Sequence, residues 1–587
     1  MKYAILADTY EEIESTMKRL EMTDLLVSLF KQTPNNLIDK VVYLTQGILY
    51  PDYRGIELGL AEKLTLKALK ISSGRSNSEI ERIFRETGDL GVTAEKILAK
   101  RAQLSLFKEV LTAEKVYETL DKIARTSGEG AIENKIRFLC SLFNDATPKE
   151  AKYIMRMAIG KLRLGIADMT ILDALAIAYT GDKKNKDLLE RGYNISSDLG
   201  YIANVVASQG IEGINNVKVE IGKPIRVMLA ERLSDPREIL EKLGGEGSIE
   251  YKYDGLRLQA HLGSNKVHLF SRRLEDATNQ FPDVVDSLRK SIQVNEAVIE
   301  GECVAIDPDT EEMLPFQVIS QRRGRKYDVK KMAEEIPVIL FLFDILYVDG
   351  DDYTLKPYVE RREKLGKIVK ENDRVKVSWQ HITKDPKEIE DFIQKAVAEG
   401  CEGLMVKSTS QNSIYKAGAR GWTWIKYKRG YKSEMADTVD LVVVGAFHGK
   451  GKRVGHYGAL LLAAYDKETD EFKTVCKIGT GFTDEDLAEI PKKLKPYLLN
   501  HKHPRVNSKL VPDLWFVPSL VLEITGDEVT LSPIHTACMG FLRPETGLAI
   551  RFPRFTGKYR TDKTPEDATT EKEILAIYKK QLKKLSI

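Results

Sequence analysis

Apolar residues recur at three- and four-residue steps through the first part of the chain, to about residue 215. The stretches 8–32 (DTYEEIESTMKRLEMTDLLVSLFKQ), 60–73 and 148–164 carry this spacing, which predicts amphipathic helices. The run 169–179 (MTILDALAIAY) is apolar almost all round, as a buried helix would be. Turn residues separate these runs at Pro51-Asp52, Gly88-Asp89 and Gly128-Glu129-Gly130. The pattern changes near residue 216. Short alternating or wholly apolar runs follow at 217–221, 248–254, 266–271, 297–307, 337–350, 403–408 and 423–428, with a helical run at 388–400. Such a mixture predicts an α+β domain. Beyond residue 430 the runs 439–449, 458–466, 472–482 and 519–529 are closely spaced and carry Gly-rich turns, which predicts a small β-barrel. A last helix is expected over 571–585. The expected organisation is therefore a helical domain over 1–215, an α+β domain over 216–430 and a β-barrel over 431–587.

Composition narrows the classes. Hydrophobic residues make up 42% of the 587 positions, enough for several cores. Lys+Arg (90) and Asp+Glu (87) leave a net charge of +3, which excludes a wholly basic nucleic-acid binder but not a locally basic groove. No apolar run reaches membrane-spanning length, and the acidic N-terminal stretch does not read as a signal peptide. The five cysteines lie far apart in sequence, against both a zinc ribbon and a disulfide framework. A soluble cytoplasmic protein is expected.

Candidate chemistry concentrates in the middle of the chain. In Glu250-Tyr251-Lys252-Tyr253-Asp254-Gly255-Leu256-Arg257, strand alternation puts Glu250, Lys252 and Asp254 on one face. A surface strand of alternating charge would read the same way. A free lysine is neutral only about one time in 2,500 at pH 7, so a nucleophilic Lys252 needs surroundings that strip its proton. Arg257, Arg272, Arg273, Lys426 and Lys428 are the cations expected to help and to neutralise a polyphosphate. Further charged clusters follow in order: Ser271-Arg272-Arg273, Glu300-Gly301-Glu302, Phe343-Asp344, Glu402-Gly403-Leu404-Met405-Val406-Lys407 and Trp424-Ile425-Lys426-Tyr427-Lys428. Carboxylates beside lysines and arginines suit a site for a metal and a nucleotide.

This order of motifs, closed by Arg551-Phe552-Pro553-Arg554-Phe555, resembles the ATP-dependent DNA ligases of the archaeal and eukaryotic replicative type. The N-terminal GDLG, GEG and LRLGIAD segments resemble that family's helical DNA-binding domain, so the resemblance spans essentially the whole chain. It implies an all-α DNA-binding domain, an α+β nucleotidyltransferase (adenylation) domain and a C-terminal OB-fold barrel. It implies that Lys252 takes AMP from ATP and that nicked duplex DNA is the second substrate. Glu250 would meet the adenine amino group, Arg257 and Glu302 the ribose, and Arg272 a phosphate. Phe343 would stack on the base. Glu402, with Glu302, would hold Mg²⁺, or Mn²⁺ in its place. Lys426 and Lys428 would meet the α-phosphate, joined by Arg420, and Arg551 and Arg554 would orient departing pyrophosphate. Asp254 would be structural or support the metal. Arg163, Gly165, Gly128 and Gly130 would face DNA. The resemblance also implies a monomer and a hinge near 429–437.

Gln103-Leu104-Ser105-Leu106-Phe107 is similar to a sliding-clamp-binding peptide, and reads equally as an apolar anchor. The rival enzymes are an mRNA capping guanylyltransferase, which would not need the helical domain, an NAD-dependent ligase, which would need clustered cysteines, and an RNA ligase, usually shorter and without the RFPRF context. A non-catalytic nick-binding scaffold would not need the complete set of Lys252, Glu302, Glu402, Lys426 and Lys428.

Overall fold

The computed structural model describes all residues except 59, 101–108, 264–265, 307–312, 315, 326, 429–437, 450–454, 527, 543, 552 and 584–587. The expected clamp-like segment (Gln103–Phe107) and hinge (429–437) therefore lie outside the described residues. Two compact units emerge: Met1–Ile389 with Glu399–Lys426, and Glu390–Ala398 with Tyr427–Ile587.

The first unit begins with helices packed on one continuous core. The periodic stretch 8–32 is two helices, Tyr3–Ser15 and Arg19–Gln32, rather than one. The break is local: the Thr16 hydroxyl accepts from Lys18 N at 3.1 Å, offering the backbone an alternative to the helical ladder. The stretch 148–164 forms a shorter helix than its spacing predicts, and capping fixes where it starts. Thr147 and Glu150 form a reciprocal capping box behind Pro148, starting the helix Pro148–Ala158. The apolar run 169–179 is the helix Asp168–Thr180, largely buried as predicted.

The last helix of this region ends at Asn215, and the expected strand at 217–221 does not form. Val219 is buried, which accounts for the apolar pattern, but the backbone turns instead of pairing: Val217 N donates to Ile214 O and Lys223 N to Glu220 O, both at 3.1 Å, and side chains hold the residues just beyond. Gln259 accepts from Ile225 N at 2.7 Å and donates to Ile225 O at 2.9 Å. Gly222 N donates to His261 Nδ1 at 3.2 Å. Burial pushes the His261 imidazole down to about 3, so it stays neutral and keeps that acceptor. Periodicity reports burial, and here burial came without pairing.

Two sheets follow. The strands are β1 (Leu229–Arg232), β2 (Gly247–Lys252), β3 (Leu256–Leu262), β4 (Val267–Ser271), β5 (Ala297–Ala305), β6 (Val338–Val348), β7 (Asp351–Asp352), β8 (Val375–Val377), β9 (Gln380–Thr383), β10 (Gly403–Ser408) and β11 (Arg420–Lys428). One sheet has the order β1-β11-β10-β2-β9; the other has β4-β3-β5-β6-β7, with β8 beside β6. Alternation divides β5: Ala297, Ile299, Cys303 and Ala305 enter the main core, while Val298 joins a smaller cluster with Leu346, Met228, Tyr415 and Trp424. Phe343 and Met405 pack against that cluster, which draws on both sheets.

The second unit is β-rich, as the expected barrel requires. It holds β12 (Val439–His448), β13 (Tyr457–Asp466), β14 (Glu471–Ile478), β15 (Leu498–Leu499), β16 (Val506–Asn507), β17 (Leu514–Phe516), β18 (Val521–Thr525), β19 (Glu528–Ser532), β20 (Gly547–Arg551) and β21 (Arg554–Tyr559). β12 pairs with β18 along its first half and with β17 further on. Both of its faces are buried, Leu441 and Val443 in one core and Val442 and Val444 in another. The chain's last described helix is Glu571–Lys583. Among the described residues no helix is long and apolar enough to cross a membrane.

Candidate active site

Lys252 ends β2, opposite Gly403 of β10. Glu402 N donates to Lys252 O at 2.8 Å, and the Lys252 ammonium is ion-paired with the Glu402 carboxylate. The two clusters, separated by 150 residues in sequence, thus meet through ladder register. Carboxylates are its immediate charged neighbours: Glu402 pairs with it directly, and the charges of Glu302 and Asp254 act on it as well. An ammonium among carboxylates is held in place, so it must leave this pair to become a nucleophile.

Gly255, after the turn, is fixed by space. A Cβ there would lie 2.4 Å from Cys303 O and 3.0 Å from Glu302 Cγ. The turn between β2 and β3 therefore presses directly on β5. On β3, Arg257 stands opposite Glu302 in the ladder. Its guanidinium donates to Glu300 at 2.7 Å, Tyr415 at 3.2 Å and Met228 O at 2.9 Å. Burial opposes its charge, but the buried Glu300 carboxylate outweighs this and holds the guanidinium firmly protonated. The Tyr415 hydroxyl donates to the same Glu300 at 2.8 Å.

Phe343 owes its place to an irregularity. Glu300 faces Asp344, yet Gly301 faces Leu342, so Phe343 is the extra residue of a β-bulge in β6. The bulge shifts strand parity, which lets Leu340 and Leu342 before it and Ile345 after it enter the same core. The Phe343 ring is half-buried, with Arg257 at 5.4 Å and Lys407 at 4.9 Å from its centroid. Glu250 lies on the Lys252 face of β2, as predicted, but is only 2% exposed. It pairs with Lys407 at 2.8 Å and accepts from the Tyr358 hydroxyl. The other face of β2 carries Tyr251, whose ring lies 5.0 Å from that of Trp379, and just past the strand Tyr253 stacks on Phe341 at 4.2 Å. Asp344 forms a fully buried fork with Arg361, at 2.8 and 3.0 Å.

Three carboxylates interact around Lys252. Burial, followed by the charge of Glu402, pushes Asp254 up to about 6. Burial pushes Glu302 up to about 7; Lys252 and Arg257 oppose this, and Glu402 and Asp254 add to it. Asp254 also accepts from Phe316 N at 3.1 Å. Among the described residues no three acidic, imidazole or thiol groups converge as a ready-made metal cage. The set nevertheless fits Mg²⁺, which commonly takes one or two carboxylates and completes its shell with water and substrate phosphates. Crowded carboxylates with raised pKa values are what a divalent cation would relieve.

Arg272 is exposed on the turn after β4. With Arg273, Arg226, Asp52, Asp168 and Glu275 it lines a cavity of about 630 Å³ between the helical region and the sheets of the first unit. Burial, then the charges of Glu275 and Asp168, push the Asp52 carboxyl up. Arg420 is exposed at the start of β11, and Lys426 and Lys428 are half-buried on one face of its end. Arg554 is exposed at the start of β21 in the second unit, where Arg551 ends β20. In the helical region Arg163, at φ +60°, pairs with Asp89 at 3.0 Å. Gly128, Gly130 and Gly165 have φ of +88°, +72° and +70°, with open space where a Cβ would stand. Gly130 also caps the N-terminus of the helix Ala131–Asp145.

Tyr415, Tyr358, Met405 and Lys407 belong to this site but were not among the candidates. Met405 and Lys407 sit inside the Glu402–Lys407 motif, and Met405 faces Glu250 across the ladder. Tyr415 and Tyr358 lie where no local pattern marks them.

Comparison with known proteins covers the whole chain. Residues 2–176 match the family model described as DNA ligase N terminus, 227–428 the ATP dependent DNA ligase domain, and 453–563 the ATP dependent DNA ligase C terminal region. "DNA ligase 2" of Thermofilum pendens is 57% identical, covering 99% of this chain and 98% of that protein. The "DNA ligase" of Staphylothermus marinus is 52% identical over 100% of both chains. Among solved structures, "Pmar-Lig_Pre." shares the fold at a TM-score of 0.55 and 17% identity, covering 94% of this chain and 99% of that one.

Proposed function

The chain belongs to the ATP-dependent DNA ligase family, and from that premise we propose how its residues carry the reaction. The enzyme closes nicks in duplex DNA through a ligase–adenylate intermediate, at the expense of ATP. Lys252 Nζ attacks the α-phosphorus of ATP; a P–N bond forms, the bond to the β-phosphate oxygen breaks, and pyrophosphate leaves. The lysine proton passes to the carboxylates beside it. The AMP group then moves to the 5′-phosphate of the nick, and the 3′-hydroxyl displaces AMP as the phosphodiester forms. Splitting one difficult step into three easier ones is what covalent catalysis provides.

The observation that carries this assignment is the meeting of Lys252 with Glu402, next to the Arg257–Glu302 pair and the bulged Phe343. Phe343 supplies a flat face for adenine, and Arg257 and Glu302 meet the ribose. Glu250 accepts from the adenine amino group; its pairing with Lys407 favours an acceptor at that position. Glu402 and Glu302 would hold Mg²⁺, which when bound shields phosphate charge and polarises the α-phosphate. Lys426 and Lys428, with Arg420, receive the α-phosphate, Arg272 a phosphate of AMP or of the nick, and Arg551 and Arg554 orient the pyrophosphate. The helical domain (1–215), with Gly128, Gly130, Arg163 and Gly165 toward DNA, grips the duplex through phosphates, because any nick sequence must be accepted. The adenylation domain (216–430) and the barrel (431–587) complete the enzyme. The clamp reading of Gln103–Phe107 is tested by retention on a sliding clamp, which Phe107→Ala should abolish.

The deciding experiment incubates the protein with α-labelled ATP and Mg²⁺, then adds nicked duplex. Label should attach to wild type, not to Lys252→Ala, and should leave on adding the nick. Labelling from GTP or NAD but not from ATP would overturn the assignment.

A further inference from the structure

Inside the proposed nucleotide site, Lys407 of β10 is only 1% exposed. Lysine is almost never buried so fully unless it is paired. It stands opposite Ser248 in the ladder, hence diagonally across from Glu250 on the same face of the sheet. Its ammonium lies 2.8 Å from one Glu250 oxygen and donates to Phe343 O at 3.3 Å. Three rings enclose it, with centroids at 4.4 Å (Trp424), 4.9 Å (Phe343) and 5.1 Å (Tyr358). Burial drives this ammonium toward losing its proton, and Glu250 is the first group to oppose that. The other Glu250 oxygen accepts from the buried Tyr358 hydroxyl, and Arg362 Nε stands further off, at 3.7 Å. One ammonium thus ties together the two parts that would meet a base: the carboxylate and the backbone of the bulged ring. Stability alone does not explain such a pair, since a buried ion pair is commonly no better than well-packed apolar residues of the same volume. A carboxylate has about four lone-pair directions. Lys407 and Tyr358 take one on each oxygen, which leaves acceptor capacity for a further donor.

We propose that Lys407 is the positioning residue that makes this enzyme select a 6-aminopurine nucleotide and refuse a 6-oxopurine one. The inference rests on the adenylation reading and deepens it, because it concerns what the pocket rejects. With a cation against one oxygen and a hydroxyl donating to the other, Glu250 presents acceptors alone. The amino group of adenine donates into that position. The C6 oxygen of hypoxanthine or guanine would set acceptor against acceptor at a carboxylate only 2% exposed, where little water can intervene. The bond from Lys407 to Phe343 O holds the bulged backbone against the same carboxylate, so the edge and the face of the base are registered together. Lys407 is itself enclosed by the carboxylate and three rings, and so acts through Glu250 and Phe343 rather than by touching the base.

The test compares transfer of labelled AMP from α-labelled ATP with transfer of labelled IMP from α-labelled ITP to the full-length protein, with Mg²⁺, over a range of nucleotide concentrations. ITP carries an oxygen where ATP carries the amino group. A site built around a substrate N–H rejects the analogue lacking it by about 10⁴-fold, and wild type should do so. In Lys407→Met, of similar length but without charge, that ratio should fall by about 100-fold, the upper worth of a hydrogen bond to a charged group. The loss should lie in the apparent KM for ATP, without a matching loss for ITP. A purely structural role would lower both nucleotides together and leave the ratio alone. In a Glu250→Gln background the same change should move the ratio by no more than about twofold, because Lys407 acts through the carboxylate. Should Lys407→Met fail to fold, Tyr358→Phe removes the other donor without leaving a charge unpaired, and the ratio should still fall about tenfold. An unchanged ratio in a folded variant overturns the proposal, as does wild type that takes both nucleotides equally. Wild type labelled by neither nucleotide would instead refute the adenylation reading on which the proposal rests.

Discussion

Replacing Gly255 by alanine should cripple adenylation for a reason of space, not of backbone conformation. Its φ is not in the left-handed region, so alanine is conformationally allowed. The added Cβ would fall 2.4 Å from Cys303 O, which belongs to β5 backbone and cannot swing aside. Restoring an ordinary contact of roughly 3.4 Å requires the β2–β3 turn and β5 to separate by about 1 Å, overpacking that typically costs about 1–3 kcal/mol. The displaced turn is joined to Lys252, and β5 carries Glu302. A misplacement of about 1 Å at a reacting centre costs about 100-fold in rate. Single-turnover transfer of labelled AMP to the protein should therefore slow by about that factor, while thermal unfolding shifts by only a few degrees. Gly128 supplies the contrast. Its φ is +88° but its surroundings are open, so Asn, which tolerates that conformation, should be accepted at 128 and refused at 255. Adenylation by Gly255→Ala within twofold of wild type would refute the reasoning.

Other outcomes follow from the same geometry. Asp344→Asn leaves the buried Arg361 guanidinium without its charge partner and should cost about 3–5 kcal/mol in denaturant unfolding, the usual penalty for breaking a buried pair. Glu302 and Asp254 have folded-state values of about 7 and about 6, above those of the unfolded chain, so the native state binds more protons between about pH 4 and 7. Their contribution is therefore full below about pH 4 and lost as pH rises through 6 to 7, and Glu302→Gln should flatten that slope in denaturant midpoints measured across the range. Arg551→Ala/Arg554→Ala should abolish AMP loading yet leave sealing of a pre-adenylated nick within a few-fold of wild type; equal loss of both steps would contradict a role confined to the first. Nick affinity should fall steeply between low and moderate salt in an electrophoretic or anisotropy assay, and a flat response would count against phosphate-dominated binding.

Much of this architecture is legible in the sequence because the signals are local. The run 169–179, apolar almost all round, located the buried helix Asp168–Thr180, and alternation put Glu250 and Lys252 on one face. The order of motifs carried the family, and the proposed nucleophile follows from it. What the sequence hid were facts of pairing. The 217–221 run reads as a strand because its side-chain burial is patterned, but its backbone turns, with Lys223 N donating to Glu220 O, and no local pattern marks that. Spacing puts Lys252 beside Glu250 and Asp254, but that Glu402 is its ion-pair partner is a fact of register between β2 and β10. Tyr415 and Tyr358 reach the site from segments whose own composition says nothing of nucleotides.

The bulge at Phe343 gives the proposed nucleotide pocket an unusual independence from its sheet. Omitting that one residue would bring Leu342 and Asp344 into succession opposite Gly301 and Glu300, which are already consecutive on β5. From Ile299 to Ala305 the ladder would close into regular pairing, with Leu340, Leu342 and Ile345 still directed into the same core and the second irregularity, at Val298 and Ile299, left as it is. The aromatic wall is therefore a one-residue insertion in a self-sufficient scaffold. A lineage could gain it, lose it or exchange its chemistry without renegotiating the fold that supports it.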